Sequence, residues 1–268
     1  MQLLKFILTR IILLFAIIYF LAIIFLYFSQ ESLIFRPTIL AKDFKYKFDS
    51  DFEEVNISSF DKTNLNGLLF KVKDSKGLVF FLHGNMGAVD SWGKQAAFYN
   101  SIGYDFFIID YRGYGKSEGK IEDETQFNKD IDVVYDFLKT KYSEYKISII
   151  GYSIGSGPAT ILASKNNPKR LILQSAYFNF GELSNSKLPF VPNFIKRYKF
   201  ETNKYIPKVK APVYLFHGEM DALIPFENSV RLSKLYKSED HLYILKNQEH
   251  NRINYNLEYQ EEIKNILN

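Results

Sequence analysis

The sequence predicts an α/β fold: a mostly parallel central sheet with helices on both faces and a small lid, preceded by one N-terminal transmembrane helix. Three observations predict it. An unbroken apolar run, Ile11 to Phe28, opens a chain whose remainder has ordinary globular composition. From Phe52 onward, short β-rich runs alternate with helical patterns, the organisation of a doubly wound sheet. Finally, Gly151-Tyr152-Ser153-Ile154-Gly155 follows the apolar run Ile147 to Ile150 and opens the helix-compatible segment Pro158 to Ala163. In that strand–turn–helix context a G-x-S-x-G pentapeptide exposes one serine hydroxyl on a strained turn, and small residues two before and two after it are a steric requirement. An ordinary Gly-rich loop at a strand end is the competing reading of the pentapeptide taken alone.

The first element is the apolar run. As a helix, its eighteen residues span about 27 Å at ~1.5 Å per residue, close to the ~30 Å hydrocarbon core of a bilayer. Lys5 and Arg10 precede it, so a secretory signal peptide competes, but that would have a shorter apolar region and a small-residue cleavage site. Leu26-Tyr27-Phe28-Ser29-Gln30-Glu31 offers none. The expectation is an uncleaved anchor over residues 1–30, membrane-spanning at about 8–28, with Tyr27 and Phe28 at the interface. Lys5 and Arg10 compete with Arg36, Lys42, Lys45 and Lys47 for the inside position. Because long domains translocate largely regardless of charge, the reading places the N-terminus inside and the catalytic domain on the extracytoplasmic side.

Residues 31–268 then form one catalytic domain of about 240 residues, a common size for one α/β unit. The 47% hydrophobic and 17% aromatic content allows a large core. A net charge of +4, dispersed along the chain, does not suggest a nucleic-acid surface, so no nucleic-acid partner is expected. The absence of cysteine excludes disulfides, thiolate metal sites and a cysteine nucleophile.

Within the domain, Val55 to Phe60 and Leu65 to Val72 read as an antiparallel hairpin at the sheet edge, joined by the turn signal Asp61-Lys62-Thr63-Asn64. Leu78 to Leu82, Phe106 to Asp110, Lys146 to Ile150, Leu171 to Leu173 and Val213 to Phe216 are apolar runs suited to strands buried on both faces, hence central and parallel. His241 to Leu245 reads as a last strand. Helices are expected at Asp90 to Ser101, Glu124 to Lys141, Gly155 to Lys165, Pro225 to Lys237 and Asn254 to Leu267. In the second of these Phe127, Ile131, Val134, Tyr135 and Leu138 form a stripe to pack on the sheet, and its Asp and Lys residues read as a solvated face. Tyr177 to Lys210, with Pro189, Pro192 and Pro207 among several aromatics, reads as a lid of helical turns at about 177–210, an ordinary crossover loop being the alternative.

A serine hydroxyl needs a general base, and the base needs a carboxylate to fix its tautomer. Of the four histidines, His83 and His217 each precede a glycine at a strand end and read as loop supports, and His241 begins the last strand. His250, in the polar loop Asn247-Gln248-Glu249-His250-Asn251, is the candidate base for Ser153. Asp221, just after a central strand in His217-Gly218-Glu219-Met220-Asp221, is the candidate acid, with Glu219 as runner-up. Proteins with a G-x-S-x-G turn between strand and helix carry these groups in the chain order Ser, Asp or Glu, His, and Ser153, Asp221 and His250 keep that order. Oxyanion donors are expected from the backbone N–H of Ile154 and from the loop His83-Gly84-Asn85-Met86-Gly87, where Asn85 is chosen ahead of Met86.

These motifs resemble the α/β-hydrolase superfamily, and within it the membrane-anchored group of Bem-type and protein-depalmitoylase-like hydrolases. The matching pieces are Gln30-Glu31-Ser32-Leu33-Ile34-Phe35-Arg36-Pro37, His83-Gly84-Asn85, Asp110-Tyr111-Arg112-Gly113-Tyr114-Gly115-Lys116-Ser117-Glu118-Gly119, the serine turn, His217-Gly218-Glu219 with Asp221, and Glu249-His250-Asn251. The resemblance implies hydrolysis of carboxylic esters or thioesters, of a small-molecule or lipid acyl substrate, without a cofactor or metal. It also implies that Arg112 is a structural ion-pair or hydrogen-bond anchor. In the mammalian depalmitoylase branch a cysteine-rich N-terminal segment is itself acylated. This chain carries an apolar helix in its place, which argues against carrying protein depalmitoylation across. Two alternatives are a serine peptidase of the aminopeptidase or prolyl oligopeptidase-like type, whose relatives carry larger insertions than 177–210, and a membrane-tethered binding protein on an inactive scaffold. A serine at the turn disfavours the aspartate-nucleophile branches.

Overall fold

The central sheet is ordered by which runs can tolerate burial on both faces. In the computed structural model, which describes residues 1–235 and 241–268, ten strands are present: β1 (Arg36–Pro37), β2 (Phe52–Ser58), β3 (Asn64–Phe70), β4 (Leu78–Leu82), β5 (Met86–Gly87), β6 (Asp105–Ile109), β7 (Ile147–Tyr152), β8 (Arg170–Gln174), β9 (Val213–Gly218) and β10 (Leu242–Leu245). Eight of them form one sheet in the order β10-β9-β8-β7-β4-β6-β3-β2. The six strands from β10 to β6 run parallel, and β3 joins β6 antiparallel and carries β2 as the edge of a hairpin. Every residue of β4, β6, β7 and β8 is buried. β2 keeps only Val55 and Ile57 fully inside, as an edge strand should.

The helices follow the sequence reading with four differences. The 90–101 segment is broken into α2 (Val89–Trp92), a 3₁₀ turn at Gly93–Gln95 and α3 (Ala96–Ser101). Gly93, a weak helix former, stands at the break. In α4 (Glu124–Lys141) the apolar stripe is buried as expected, but Asp130 is buried with it and does not belong to the solvated face. Arg112 reaches in to meet it, so burial there is compensated by an ion pair. The expected Pro225 to Lys237 helix is confined to α8 (Glu227–Ser233), and its tail beyond 235 lies outside the described residues. The terminal helix starts later, α9 being Leu257–Leu267 after a 3₁₀ turn at Ile253–Tyr255. α5 (Ser156–Lys165) follows β7 through a 3₁₀ turn at Ser153–Gly155.

Two apolar cores result, one on each face of the sheet. One joins α4, α5 and the lid to the sheet, and the other joins α3 and α9 to an aromatic cluster that includes Tyr46, Phe70 and Phe106. The lid consists of helical turns: α6 (Phe180–Lys187), 3₁₀ turns at Asn193–Ile195 and Ile206–Lys208, and α7 (Thr202–Tyr205).

At the N-terminus, α1 (Gln2–Ile34) is long and apolar enough to cross a membrane. It does not stop at residue 30. Its last turns leave the apolar stretch and dock on the lid: the Gln30 side chain donates to the Ile195 carbonyl (2.9 Å) and accepts from the Arg197 N–H (2.9 Å), while Glu31 accepts from Tyr198 Oη (3.0 Å) and pairs with Arg197 (3.1 Å).

Candidate active site

The serine turn owes its shape to two close approaches. A Cβ on Gly151 would lie 2.6 Å from that of Ala159, and one on Gly155 would lie 2.2 Å from the Leu82 carbonyl oxygen, so neither position admits a side chain. Between them Ser153 is held at φ +51°, a left-handed conformation that a non-glycine residue adopts at a cost of roughly 1 kcal/mol. β7 supplies the rigid lead-in and α5 the exit, so the strain is borne by packed elements on both sides.

Asp221 and His250 arrive from the ends of β9 and β10. The His250 Nδ1 lies 2.7 Å from Asp221 Oδ2, and its Nε2 lies 3.0 Å from Ser153 Oγ. A carboxylate can only accept, so Nδ1 carries the ring proton and the Nε2 lone pair faces the serine. The loop backbone that carries the imidazole is held by the Tyr152 hydroxyl, which donates to the His250 carbonyl (2.5 Å).

The side chain of Asp221 is fully buried. Burial works to raise its pKa, but hydrogen bonds from His217 and His250 and the backbone N–H of Ile224 outweigh that, holding it well below the ordinary carboxylate range. The donors are close: Leu223 N at 3.0 Å and Ile224 N at 2.8 Å on Oδ1, Ser175 Oγ at 2.9 Å and His217 Nε2 at 3.2 Å on Oδ2. His217 also donates to the Ile224 carbonyl (2.7 Å) and meets Ser229 Oγ (2.6 Å), so it braces the loop that presents Asp221. Glu219, the runner-up acid, is exposed and faces the Asn247 backbone.

His83 is buried beneath Tyr111, its Nδ1 2.7 Å from the Gly84 carbonyl, and burial lowers its pKa to about 4. It supports the loop, as its position before Gly84 suggests. Asn85 follows, its carbonyl accepting from the Arg36 N–H (2.8 Å) and the Tyr114 hydroxyl (2.7 Å), its side chain donating to the Ile34 carbonyl (3.0 Å). Asn85, Ser153 and Ile154 line one cleft of about 400 Å³, whose other walls include Leu33 and Ile34 of α1, Phe180 and Leu188 of the lid, and Leu223.

Arg112 stays out of that cleft. Its guanidinium grips Asp130 (2.6 and 2.7 Å) and Asp61 (2.7 and 2.9 Å) with two forked pairs, a structural clamp between the β2–β3 turn, the loop after β6 and α4. Three participants had no site role in the sequence reading. Ser175 gives no motif, although its place one residue past β8 is where open α/β sheets gather functional groups. Leu33 and Ile34 enter the sequence reading only within the matching segment Gln30 to Pro37, and their distance from Ser153 in the chain gives no hint that they wall its cleft.

An eight-stranded sheet of this order, with a strained serine between its central strand and the next helix, defines the α/β-hydrolase family, to which this chain belongs. Residues 73–210 match the family described as serine aminopeptidase, S33. Within the family the chain falls in the Bem-type and depalmitoylase-like group. It is 31% identical over 229 residues to alpha/beta hydrolase domain-containing protein 17C of Mus musculus, covering 81% of this chain and 68% of that protein. It is 27% identical over 219 residues to protein bem46 of Schizosaccharomyces pombe, covering 75% and 73%. The lysophosphatidylserine lipase ABHD12 of Danio rerio is 27% identical over 187 residues, 61% of this chain, which spans about half (48%) of that longer relative.

Proposed function

We propose that the protein is a membrane-anchored serine hydrolase that cleaves carboxylic esters or thioesters through Ser153, His250 and Asp221. The observation that carries the reading is the continuous hydrogen-bonded line from Asp221 Oδ2 through His250 to the Oγ of a serine held at φ +51°. His250 Nε2 removes the serine proton as Oγ attacks the acyl carbonyl, and the imidazolium that forms is stabilised by Asp221, which stays ionised. The N–H groups of Ile154 and Asn85 hold the oxyanion, each worth on the order of 3 to 4 kcal/mol in such sites. His250 returns its proton to the departing alcohol or thiol. A water, deprotonated by the same imidazole, then releases the acid and restores Ser153. α1 holds the domain at the membrane, and no cofactor enters these steps.

An aminopeptidase reading asks for acidic groups to hold a substrate's free α-amino group. The charged residues lining the cleft are Arg36 and Lys187, both cations. That supports acyl esters over peptides with a free amino end. A fluorophosphonate probe is expected to label the wild type and leave Ser153→Ala unlabelled, while p-nitrophenyl butyrate turnover falls by about 10⁵-fold or more. Equal labelling of the two proteins would overturn the assignment.

A further inference from the structure

The cleft over Ser153 does not end at the lid. A second, mostly apolar hollow, of about 80 Å³, lies beside it between α1 and the lid, sharing Leu33, Ile34, Phe180 and Leu188, reaching Leu26 and edged by Lys196. Leu26 belongs to the apolar run expected to lie in the bilayer. Together the two hollows line the side of α1 from the serine to the membrane edge of the apolar run.

The lid follows α1 in the same direction. The Tyr19 hydroxyl donates to the Phe190 carbonyl (2.9 Å), and Tyr19 is near the middle of the Ile11 to Phe28 run. Tyr27 is eight residues further along the helix, about 12 Å at ~1.5 Å per residue. The Arg197 guanidinium lies over the Tyr27 ring, 5.7 Å from its centroid, and pairs with Glu31. An aromatic ring with an arginine beside it suits the headgroup level. Set at that level, the lid tip at Phe190 lies about 12 Å deeper, inside the ~15 Å depth of one leaflet's hydrocarbon.

The tip's composition fits that depth. Leu188-Pro189-Phe190-Val191-Pro192-Asn193-Phe194 contains no charge, and Phe190 and Phe194 are 84% and 86% exposed. Backbone polar groups in hydrocarbon need partners, and here two prolines have no N–H to satisfy. The Val191 and Ile195 N–H groups bond to the Leu188 and Pro192 carbonyls, and the Phe190 carbonyl takes the Tyr19 hydroxyl. Asn193 marks the tip's polar side, lining a depression with the charged Glu182, Lys196, Lys199 and Glu201.

We infer that the lid tip, residues 188–194, is seated in the bilayer beside α1, so that the Ser153 cleft takes its substrate laterally from the leaflet. The substrate class is then a membrane-resident ester or thioester with a long acyl chain, which slides between Leu33 and Leu188 to bring its carbonyl to the serine. This rests on the reading of Ser153 as nucleophile and α1 as anchor.

Two measurements on the full chain in phosphatidylcholine vesicles test it. The chain has no cysteine, so Phe190→Cys and, as a control, the exposed Tyr145→Cys each take one environment-sensitive nitrobenzoxadiazole label. The label at 190 is expected to be quenched by lipids carrying a nitroxide midway along the acyl chain and shielded from aqueous iodide, with the reverse at 145. Iodide quenching at 190 equal to that at 145 overturns the seating. Next, the double variant Phe190→Ser, Phe194→Ser is expected to hydrolyse a vesicle-embedded oleoyl monoglyceride at least tenfold more slowly. Its turnover of water-soluble p-nitrophenyl butyrate should stay within twofold of wild type. Equal loss on both substrates, or on neither, overturns lateral entry. A butyrate activity unaffected by Ser153→Ala overturns the hydrolase reading and lateral substrate delivery with it, while the label depths still decide where the lid sits.

Discussion

Two buried aspartates at the ends of parallel strands, Asp221 after β9 and Asp110 after β6, meet opposite electrostatic fates. Asp221 is charged well below the ordinary carboxylate range, because five donors from two histidines, a serine and two backbone amides offset its burial. Asp110 is 0% exposed, and burial pushes its pKa far up, since among the described residues the Val89 N–H (2.9 Å) is the one donor to its carboxyl and Asp90 adds like charge. Its second oxygen sits where a Cβ on Gly115 would fall, 1.8 Å away, so the loop is wrapped around the carboxyl and Gly115, at φ +50°, cannot be replaced cheaply. Burial alone therefore sets no charge state, and the number of donors aimed at the carboxylate decides it. The β9 loop is built to keep a charge ready, and the β6 loop to hold a shape.

That contrast can be broken by experiment. The largest effect is expected from Asp221→Asn, which removes the acceptor that fixes the His250 tautomer; kcat on p-nitrophenyl butyrate should fall by about 10⁴-fold, and at neutral pH the urea midpoint should fall as well, because the stability contributed by the charged carboxylate goes with it. The matching Asp110→Asn should leave kcat within a few-fold, and a comparable loss there would erase the distinction. Arg112→Ala, in the β6 loop, strands Asp130 without its buried partner and should cost about 3 to 5 kcal/mol of unfolding free energy by urea titration. Activity per folded molecule should survive.

The pH dependence separates the two carboxyls by sign. Asp221, with its pKa lowered on folding, contributes stability that is present above the unfolded value near 4 and is lost only as pH falls through its depressed folded value. Asp110, with its pKa raised, contributes the reverse: its term is fully present below about 4 and is lost as pH rises toward its folded value. Urea midpoints from pH 4 to 8 should show a decline in wild type that Asp110→Asn flattens and Asp221→Asn does not. The smallest effect belongs to Ser175→Ala, which removes one of the five donors to Asp221 and should cost about 1 kcal/mol, a five- to tenfold drop in kcat. A loss as large as that of Asp221→Asn would mean that Ser175 carries more than one hydrogen bond's worth of support.

Local pattern was enough for the eight strands of the main sheet, because each central one is a largely apolar run and each hairpin strand is bounded by turn residues; their boundaries moved by at most three residues, whereas the two-residue β1 and β5, which pair with each other, are too short to leave a pattern. The serine turn, the histidine loop and the aspartate loop were legible for the same reason, each being a short motif at the end of such a run. Asp130 was not, since a charged residue on an amphipathic helix reads as solvated unless its partner, Arg112, is known to arrive from another loop. Nor was the helix break at Gly93, where a periodic apolar pattern continues through a 3₁₀ turn.

The sequence by itself determined the order of strands and helices, the strained serine and the chain order of its two partners, because those are written in spacings of a few residues. Tertiary structure alone decided which groups converge. It brought Ser175 to Asp221, 46 residues away, Ile34 to Asn85, 51 residues away, and Phe190 to Tyr19, 171 residues away. Packing of the sheet, the lid and α1 sets those contacts, and no local periodicity encodes a distance across so many residues.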